Sequence, residues 1–254
     1  MKDSFSPNVR KEIGHYVYLY IDPRDNTVFY IGKGQNNRVF DHLKDKNENE
    51  KVKRIAEIME SGQEPIIEIL VHGIESDETI KKIEAAAIDL IGLQNLTNIQ
   101  SGYESIKYGR KKLEEIESMY DGKLVEITEP AIMINICSTF RYGMEPIELY
   151  DATRSAWVVG TDREKAKYAM PVYGNVIQEV YEIKQWFEKG STFNSRLIES
   201  DISAEKRWEF VGKIAIEEIR NMYKLKKTDA FASGSSNPIK YLNIKESNTK
   251  QAGL

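Results

Sequence analysis

The chain has 254 residues, with 36 Lys and Arg against 40 Asp and Glu, a formal net charge of −4 and a pI of about 5.6. This length allows one large domain or two modest domains, each with its own core. The acidic balance argues against a protein that coats nucleic acid through bulk positive charge. The single cysteine, Cys137, excludes an intramolecular disulfide and a thiolate zinc site.

The sequence also predicts the compartment of the protein. No stretch approaches the ~20 apolar residues of a membrane-spanning helix, and the polar residues 1–7 do not resemble a signal peptide. We therefore expect a cytoplasmic protein with no membrane partner. The three histidines, His15, His42 and His72, lack metal-ligand spacing and predict no histidine metal cluster.

Two strands joined by a short turn are predicted near the start of the chain. Aromatic and β-branched residues fill positions 16–21 and 27–32, and a turn containing Pro23 separates them. Alternation along the first strand places three phenols on one face: Tyr16, Tyr18 and Tyr20. Alternation in the second strand places three further residues on a shared face: Val28, Tyr30 and Gly32. For tyrosines taken one by one, the alternative is a half-buried sheet face whose hydroxyls reach water.

A glycine-containing turn and the start of a helix follow this hairpin. Residues 32–37 form a flexible turn through which the backbone could approach a ligand closely. Arg38 and His42 are four positions apart in the predicted helix, so both project from one face. Guanidinium and imidazole groups side by side suit an anion such as phosphate. Taken alone, an Arg and a His at this spacing are more often surface residues.

Three further elements complete the first domain. Sequence patterns predict a helix over residues 48–61, a strand over 64–71 and a helix over 78–91. The resulting order is β-β-α-α-β-α. It predicts that residues 1–120 form an α+β domain in which helices flank a small mixed sheet.

The boundary between the domains is predicted at Asp121-Gly122, after a charged connecting helix over residues 107–120. Residues 121–245 would form the second domain. The final residues 246–254 are polar and are predicted to be a loose tail.

Short strands with an inserted helix are predicted in the second domain. Apolar or alternating patterns indicate strands near residues 125–127, 132–137, 148–150, 156–159, 175–187, 207–212 and 241–244. Residues 162–168 predict a helix capped by Thr161, and residues 214–223 predict another. Together these elements suggest a small β-barrel with helices.

Seven residues in a fixed order resemble the signature of the GIY-YIG nuclease family: Tyr18, Tyr30, Gly32, Arg38, His42, Glu84 and Asn98. The resemblance covers roughly residues 14–102 and is specific because order, residue type and spacing agree. The segments around Tyr30 and His42 are most similar to the branch that includes the animal LEM-domain endonucleases. Tyr16 stands where the family's name has glycine. That position is structural in the family. The substitution therefore weakens the match to the motif in the family's name more than it weakens the predicted chemistry.

The resemblance implies a role for each of these residues. Glu84 would hold a single divalent cation, Mg²⁺ or Mn²⁺, through its carboxylate, and the cation would stabilise charge on the scissile phosphate. Tyr18 would act as the general base or beside it. Since a phenol has a pKa of about 10, a neighbouring cation would be needed. Arg38 would stabilise developing negative charge. The remaining residues would orient water or phosphate, or pin the active-site wall: Tyr30, His42 and Asn98.

Substrate contacts are expected beside this site. Lys33, Gly34 and Lys44 would contact the nucleic-acid backbone, within a local basic strip that follows the hairpin. Such a strip can grip phosphates on an acidic protein, although the non-specific affinity should then be modest. The alternative, that residues 44–54 are only the solvated face of a helix, is equally well supported.

The second domain is similar to the PUA-like barrels, among them the EVE, ASCH and SRA types. The similarity rests on aromatic residues at strand ends, including Trp157, Trp186 and Trp208. It implies a nucleic-acid reader that stacks a flipped or modified base on an aromatic ring. For each tryptophan taken singly, a place in the core is the alternative.

The sequence therefore predicts a divalent-metal-dependent endonuclease whose second domain selects the substrate. The selected substrate could contain modified bases, and the biological role could be defence or repair. DNA is expected rather than RNA, although no single residue separates the two, and a homodimer is left open. A catalytically inactive nucleic-acid-binding module and an interaction protein whose tyrosines only pack are the alternatives. The endonuclease is favoured because a decayed active site would not be expected to retain this whole set of residues.

Overall fold

The computed structural model describes residues 3–43, 45, 48–100, 102–195, 206–231 and 237–244. The chain divides into two compact units, residues 1–110 and 111–254, and each is described by itself. Lys44 and the predicted tail lie outside the described residues. Within the described ranges, none of the helices has the length and apolar character that a bilayer span requires.

The first unit is built around a three-stranded sheet. Its elements are α1 (Pro7–Glu12), β1 (His15–Asp22), β2 (Thr27–Gly34), α2 (Arg38–Asp41), α3 (Glu50–Glu60), β3 (Ile66–Ile74), α4 (Asp77–Ile91) and α5 (Ser105–Tyr108). After α1, which the sequence did not predict, the order β-β-α-α-β-α is confirmed. The strand order is β2-β1-β3 and both pairings are antiparallel. The predicted mixed sheet is therefore wrong for this unit, because β3 returns antiparallel to β1.

The two faces of this sheet carry different side chains. Tyr16, Tyr18 and Tyr20 share one face and pack in a core cluster with residues of α2 and α3. On the opposite face Val17 packs with Ile80 of α4. The predicted common face of the three tyrosines is confirmed. Their exposed fractions of 0%, 1% and 0% show that the alternative with hydroxyls reaching water is wrong.

A bulge in β2 changes one predicted orientation. Tyr20 pairs with Tyr30, but the next residue, Ile21, pairs with Val28, so Phe29 is left as the extra residue. Phe29 is buried in the tyrosine cluster, while Val28 packs in the cluster on the opposite face. The prediction that Val28 shares a face with Tyr30 is therefore wrong, because the bulge shifts the alternation by one position.

The second unit contains a seven-stranded sheet with helices. Its elements are α6 (Leu113–Tyr120), β4 (Ala131–Asn135), α7 (Pro146–Arg154), β5 (Trp157–Val158), β6 (Tyr168–Tyr173), β7 (Val176–Ile177), β8 (Tyr181–Glu188), β9 (Arg207–Ile214), α8 (Glu217–Tyr223) and β10 (Ile239–Leu242). The strand order is β10-β4-β6-β8-β9-β5, and β7 pairs with β6. The pairing of β4 with β6 is parallel and the others are antiparallel. The α+β class is confirmed. Among the described strands, β10 and β5 end the sheet without pairing to each other, so the sheet is open.

Three predicted elements of this region take another form. The segment predicted as one helix over residues 107–120 is broken between α5 and α6. Glu115 of α6 is 1% exposed and accepts hydrogen bonds from Tyr142 and Gln178, so α6 packs with the second unit. Residues 148–150 lie in α7, which begins with Pro146 in its first turn. The helix predicted over 162–168 is a short 3₁₀ turn, Thr161–Lys165, because the following residues are drawn into the buried strand β6.

Candidate active site

A cavity of about 660 Å³ lies on the first unit. Its lining brings together Tyr30 and Lys33 from β2, Lys51 from α3, Glu84 from α4, and Asn98 from the segment after α4. Four of these five residues are predicted site residues, and they are as far as 68 positions apart in the sequence. The fold thus brings these side chains close together in space, whereas the sequence shows only their order along the chain.

Two buried tyrosines fix the start of α2. The Tyr16 hydroxyl accepts a hydrogen bond from the Val39 backbone N–H at 3.1 Å and donates to the Asn36 carbonyl at 2.9 Å. The Tyr20 hydroxyl donates to the Val39 carbonyl at 2.5 Å. Tyr16, which stands in the family's glycine position, therefore anchors the segment that carries Arg38.

Tyr18 lies beneath Gly32, where a side chain would not fit. A Cβ placed on Gly32 would come within 2.6 Å of the Tyr18 hydroxyl and 2.9 Å of the Tyr30 ring. The centres of the Tyr18 and Tyr30 rings lie 6.2 Å apart. Burial, followed by the neighbouring Tyr30 and Tyr20, raises the pKa of Tyr18 far above that of a free phenol. Because a phenol with a raised pKa gives up its proton less readily, burial does not favour the base role that the resemblance implies for Tyr18.

Tyr30 lines the cavity, whereas Tyr18 does not. The Tyr30 hydroxyl lies 3.5 Å from His42 Nε2, at the long limit of a hydrogen bond. Burial and the Glu84 carboxylate raise the pKa of Tyr30, and the Tyr18 hydrogen bond and Arg38 oppose this rise. Tyr30 is thus the phenol that a ligand in the cavity can reach.

His42 is neutral in this structure at neutral pH. Burial, then Lys51 and Arg38, lower the pKa of His42 from 6.5 to about 4. Lys51 Nζ lies 2.8 Å from His42 Nδ1, and Asp45 is farther, at 3.9 Å. A neutral imidazole can position a phenol or a water, but it supplies no positive charge to a phosphate.

Glu84 faces the cavity from the middle of α4. This helix begins at Ser76, whose side chain accepts from the Thr79 N–H, and ends at Gly92, which has a φ of 90°. Glu84 lies one turn from both Ile80 and Ile88, which are buried, so it shares their side of the helix. Its side chain is only 13% exposed. The side of α4 that packs in the core through Ile80 and Ile88 therefore also carries the Glu84 carboxylate.

The donor set around Glu84 fits a single divalent cation. Mg²⁺ keeps several waters and is usually held by one or two carboxylates together with substrate phosphates. Lys33 Nζ lies 2.5 Å from Glu84 Oε2, so a cation already neutralises this carboxylate. Lys33 would have to leave when a metal ion binds. Across the part of the chain that the structure describes, no three His, Cys, Asp or Glu side chains are grouped to hold a metal without substrate.

Arg38 is an exposed cation that is not among the residues lining the cavity. Its side chain is 53% exposed and its Nη1 donates to Asp41 Oδ2 at 3.1 Å. A Cβ on Gly34 would come within 2.7 Å of the Arg38 Cβ, so this glycine allows Arg38 to lie against the strand. Arg38 is therefore free to swing toward an anion at the expense of one surface ion pair, which is worth little.

Asn98 closes the site at the edge of β2. Its Nδ2 donates to the Ile31 carbonyl at 2.7 Å, and its Oδ1 accepts from the Ile31 N–H at 3.0 Å. Thr97 adds a bond from its N–H to the Phe29 carbonyl at 2.6 Å. These side-chain and backbone bonds satisfy the edge of β2 and hold the segment after α4 in place.

The three tryptophans lie in the second unit and differ in accessibility. Trp186 is 6% exposed and donates its N–H to the Arg163 carbonyl at 3.0 Å, so its ring is part of the core and is not available to a base. Trp157 and Trp208 are cross-strand partners on β5 and β9, and both are partly buried. The Arg163 guanidinium carbon lies 3.4 Å from the centre of the Trp208 ring.

Lys51 is the site residue that the sequence did not single out. In the sequence analysis Lys51 was only one of the positive charges in the basic strip that follows the hairpin. A signal was present, because Lys51 precedes Ile55 by four positions and Ile58 by seven, which places it on the apolar side of α3. A lysine at that spacing indicates a buried cation.

Comparison with known proteins agrees with this geometry. A family model described as a LEM-3-like GIY-YIG domain matches residues 15–119. No curated protein and no solved structure matches the chain. The matched residues include the hairpin, the cavity and every position in the predicted catalytic set. Residues 15–119 are therefore identified as a GIY-YIG domain of the LEM-3-like branch.

Proposed function

We propose that the protein is a divalent-metal-dependent endonuclease that hydrolyses phosphodiester bonds of nucleic acid, with DNA as the expected substrate. The observation that carries the proposal is the single cavity lined by Tyr30, Lys33 and Glu84 within the family-matched residues. A phenol, an ammonium group and a carboxylate that share one cavity provide a proton acceptor, a phosphate contact and a metal ligand.

The reaction requires an acceptor for the proton of the attacking water. The water oxygen forms a bond to phosphorus, the bond from phosphorus to the leaving oxygen breaks, the water proton passes to the base, and the leaving oxygen is protonated by solvent. We assign the base to Tyr30 rather than Tyr18. Of these two phenols, Tyr30 lines the cavity and Tyr18 does not, so Tyr30 is the one that a water bound there can reach.

Two cations and one carboxylate supply the remaining roles. Arg38 and Lys33 would contact the phosphate as negative charge develops, Arg38 through the planar fork that suits two oxygens. Glu84 would hold the divalent ion, which supplies Lewis-acid stabilisation of the phosphate when bound. The present pairing of Lys33 with Glu84 keeps the carboxylate neutralised until substrate arrives.

A cleavage assay on the full chain tests this function. Plasmid DNA, DNA with modified bases, and RNA would each be incubated with the protein, with and without Mg²⁺ or Mn²⁺. We expect metal-dependent cleavage, and we expect Glu84→Gln to reduce the rate about a thousandfold, equivalent to about 4 kcal/mol, while binding persists. The carboxamide keeps the shape of Glu84 but removes the charge that a metal ion requires.

The control is Glu78→Gln on the same helix. Glu78 is 63% exposed and pairs with Lys82, so its loss should leave the cleavage rate unchanged. Full cleavage by Glu84→Gln would remove the carboxylate from the mechanism. Binding without cleavage by the wild-type protein on all three substrates would favour the inactive binding module.

We also propose that the second unit selects the substrate, as a PUA-like reader would. The support is the Trp157–Trp208 pair, with Arg163 stacked on Trp208. A base stacked on an aromatic ring contributes ~1–3 kcal/mol, so Trp208→Ala should weaken DNA binding by roughly tenfold and Trp208→Phe by less. Fluorescence anisotropy of labelled oligonucleotides measures the affinity. Equal affinity of all three proteins would leave the second unit without this role.

A further inference from the structure

Lys51 is a charged residue whose side chain lies inside the first unit. The residue is 8% exposed and lies on the side of α3 that also carries Ile55 and Ile58, which are in the tyrosine core cluster. Its Nζ lies 2.8 Å from His42 Nδ1 and 4.6 Å from the centre of the Tyr30 ring. Burial of an ammonium group is costly unless it is compensated, so packing alone does not account for a lysine here.

The contact determines which nitrogen of His42 carries the proton. When Lys51 is an ammonium group, which has three donors and no acceptor, His42 Nδ1 accepts from it. In a neutral imidazole the hydrogen then lies on Nε2. Nε2 is the atom that faces the Tyr30 hydroxyl, at 3.5 Å. His42 thereby directs an N–H donor at the Tyr30 oxygen.

We propose that Lys51 is a positioning residue, which holds His42 as the neutral tautomer protonated on Nε2 and so directs an N–H donor at the Tyr30 oxygen. The catalytic meaning of this arrangement rests on the proposed nuclease function. The contact itself exists without substrate and can be tested alone. Donors aimed at an oxygen stabilise its anionic form, so the arrangement favours Tyr30 as a proton acceptor.

Several charged or titratable groups act on His42 from the elements around it: Arg38, Asp41 and Asp45 from its own segment, Tyr30 from β2, and Lys51 from α3. Burial has the largest effect on its pKa, and Lys51 has the next largest. Removing the Lys51 charge should therefore move the titration of His42 more than removing any other single neighbour.

The first experiment is an NMR titration of the histidine ring nitrogens in the full chain, with His42 assigned by His42→Gln. We expect wild-type His42 to stay neutral with hydrogen on Nε2 down to about pH 4. In Lys51→Met we expect the midpoint to rise by one unit or more and the Nε2–H tautomer to lose its preference. Lys51→Arg should restore the charge. The control Lys53→Met removes a 62% exposed lysine of the same helix and should leave the His42 titration unchanged.

The second experiment measures cleavage kinetics of the same variants. We expect Lys51→Met to lower kcat about 10- to 100-fold, as is typical when a residue that orients a directly acting side chain is lost. KM should stay within about twofold of the wild-type value. A His42 titration identical in Lys51→Met and wild type overturns the proposal, whatever the activity. A wild-type protein without cleavage, but with the expected NMR shift in Lys51→Met, overturns the nuclease function and leaves the Lys51 assignment standing.

Discussion

Buried carboxylates of the second unit differ from the cavity-lining groups of the first unit in how their bonding capacity is used. In the second unit Asp151 is 1% exposed and both of its oxygens are occupied by the protein. Oδ1 accepts from Arg154 Nε at 2.6 Å, and Oδ2 accepts from the Ser195 N–H at 2.6 Å. Glu179 is similar, since it accepts from Arg220 and Lys224. The hydrogen-bonding capacity of these carboxylates is thus filled by other residues of the protein.

Some polar groups at the cavity of the first unit keep part of their bonding capacity available. Among the described residues, Glu84 accepts one hydrogen bond, from Lys33, and both side chains line the cavity. Arg38 is half exposed and makes one ion pair, with Asp41. A group whose bonding capacity is filled by protein stabilises the fold, whereas a group with capacity directed at a cavity can bind a ligand. We therefore expect structural roles for the first set and propose chemical roles for the second.

The largest effect that would sharpen this comparison is expected at Asp151. Asp151→Asn leaves the buried Arg154, which is 3% exposed, without its counter-charge, and breaking a buried pair costs ~3–5 kcal/mol. All three tryptophans lie in the second unit, so tryptophan fluorescence during denaturant unfolding reports its stability. The cleavage centre of the first unit should be unaffected.

The matched control for Asp151 is Asp162→Asn. Asp162 is 51% exposed and pairs with Lys165 at 2.7 Å, so its loss should change the stability by less than ~1 kcal/mol. Equal effects of the two substitutions would show that burial does not distinguish these ion pairs.

A second prediction concerns pH and the first unit. His42 has a pKa of about 4 when folded, against 6.5 for the free side chain. Between these values the unfolded chain binds more protons, so the contribution of His42 to stability is full above about pH 6.5 and is lost as the pH falls to about 4. A shift of this size corresponds to about 3 kcal/mol.

Amide hydrogen exchange of β1 and β2 as a function of pH measures this contribution. His42→Gln should flatten the pH dependence between pH 4 and 6.5. His72→Gln, which changes an exposed histidine, should not. An unchanged slope in His42→Gln would show that His42 does not carry the linkage.

The smallest of the three effects is expected at Arg38. Arg38→Lys keeps the charge but loses the planar fork that binds two phosphate oxygens. We expect cleavage to fall about 10- to 100-fold, equivalent to about 1.4–2.7 kcal/mol. Single-turnover cleavage rates would measure this, with Arg10→Lys on the exposed helix α1 as the control. A rate within about twofold of wild type would mean that Arg38 acts as a plain charge.

The elements of the first unit were predictable because their signals are local. Consecutive residues carry the period-two alternation of β1 and the helical period of α4. They also include the residues that cap α4, Ser76 and Gly92. The predicted bounds of these elements agree with the structure within a few residues. The bulge at Phe29 was not predicted, because an extra residue in a strand is defined by its pairing partner.

The second unit shows where local signals fail. Residues 148–150 are predicted as a strand, yet they lie in α7. The predicted helix after Thr161 gives way to β6, all of whose residues are buried. Tertiary burial overrides weak local preference in both places. The open sheet likewise depends on which strands pair, and strand pairing is a long-range property.

The sequence by itself determined which chemical groups the protein carries and the order in which they occur. It thereby determined the α+β class and the match of residues 15–119 to a GIY-YIG domain, because residue type and spacing are properties of the chain alone. Only the tertiary structure decided that Tyr30 rather than Tyr18 reaches the cavity, that Lys33 neutralises Glu84, and that Lys51 lies behind His42. These facts depend on burial and on distances between remote segments, which are fixed when the helices pack against the sheet.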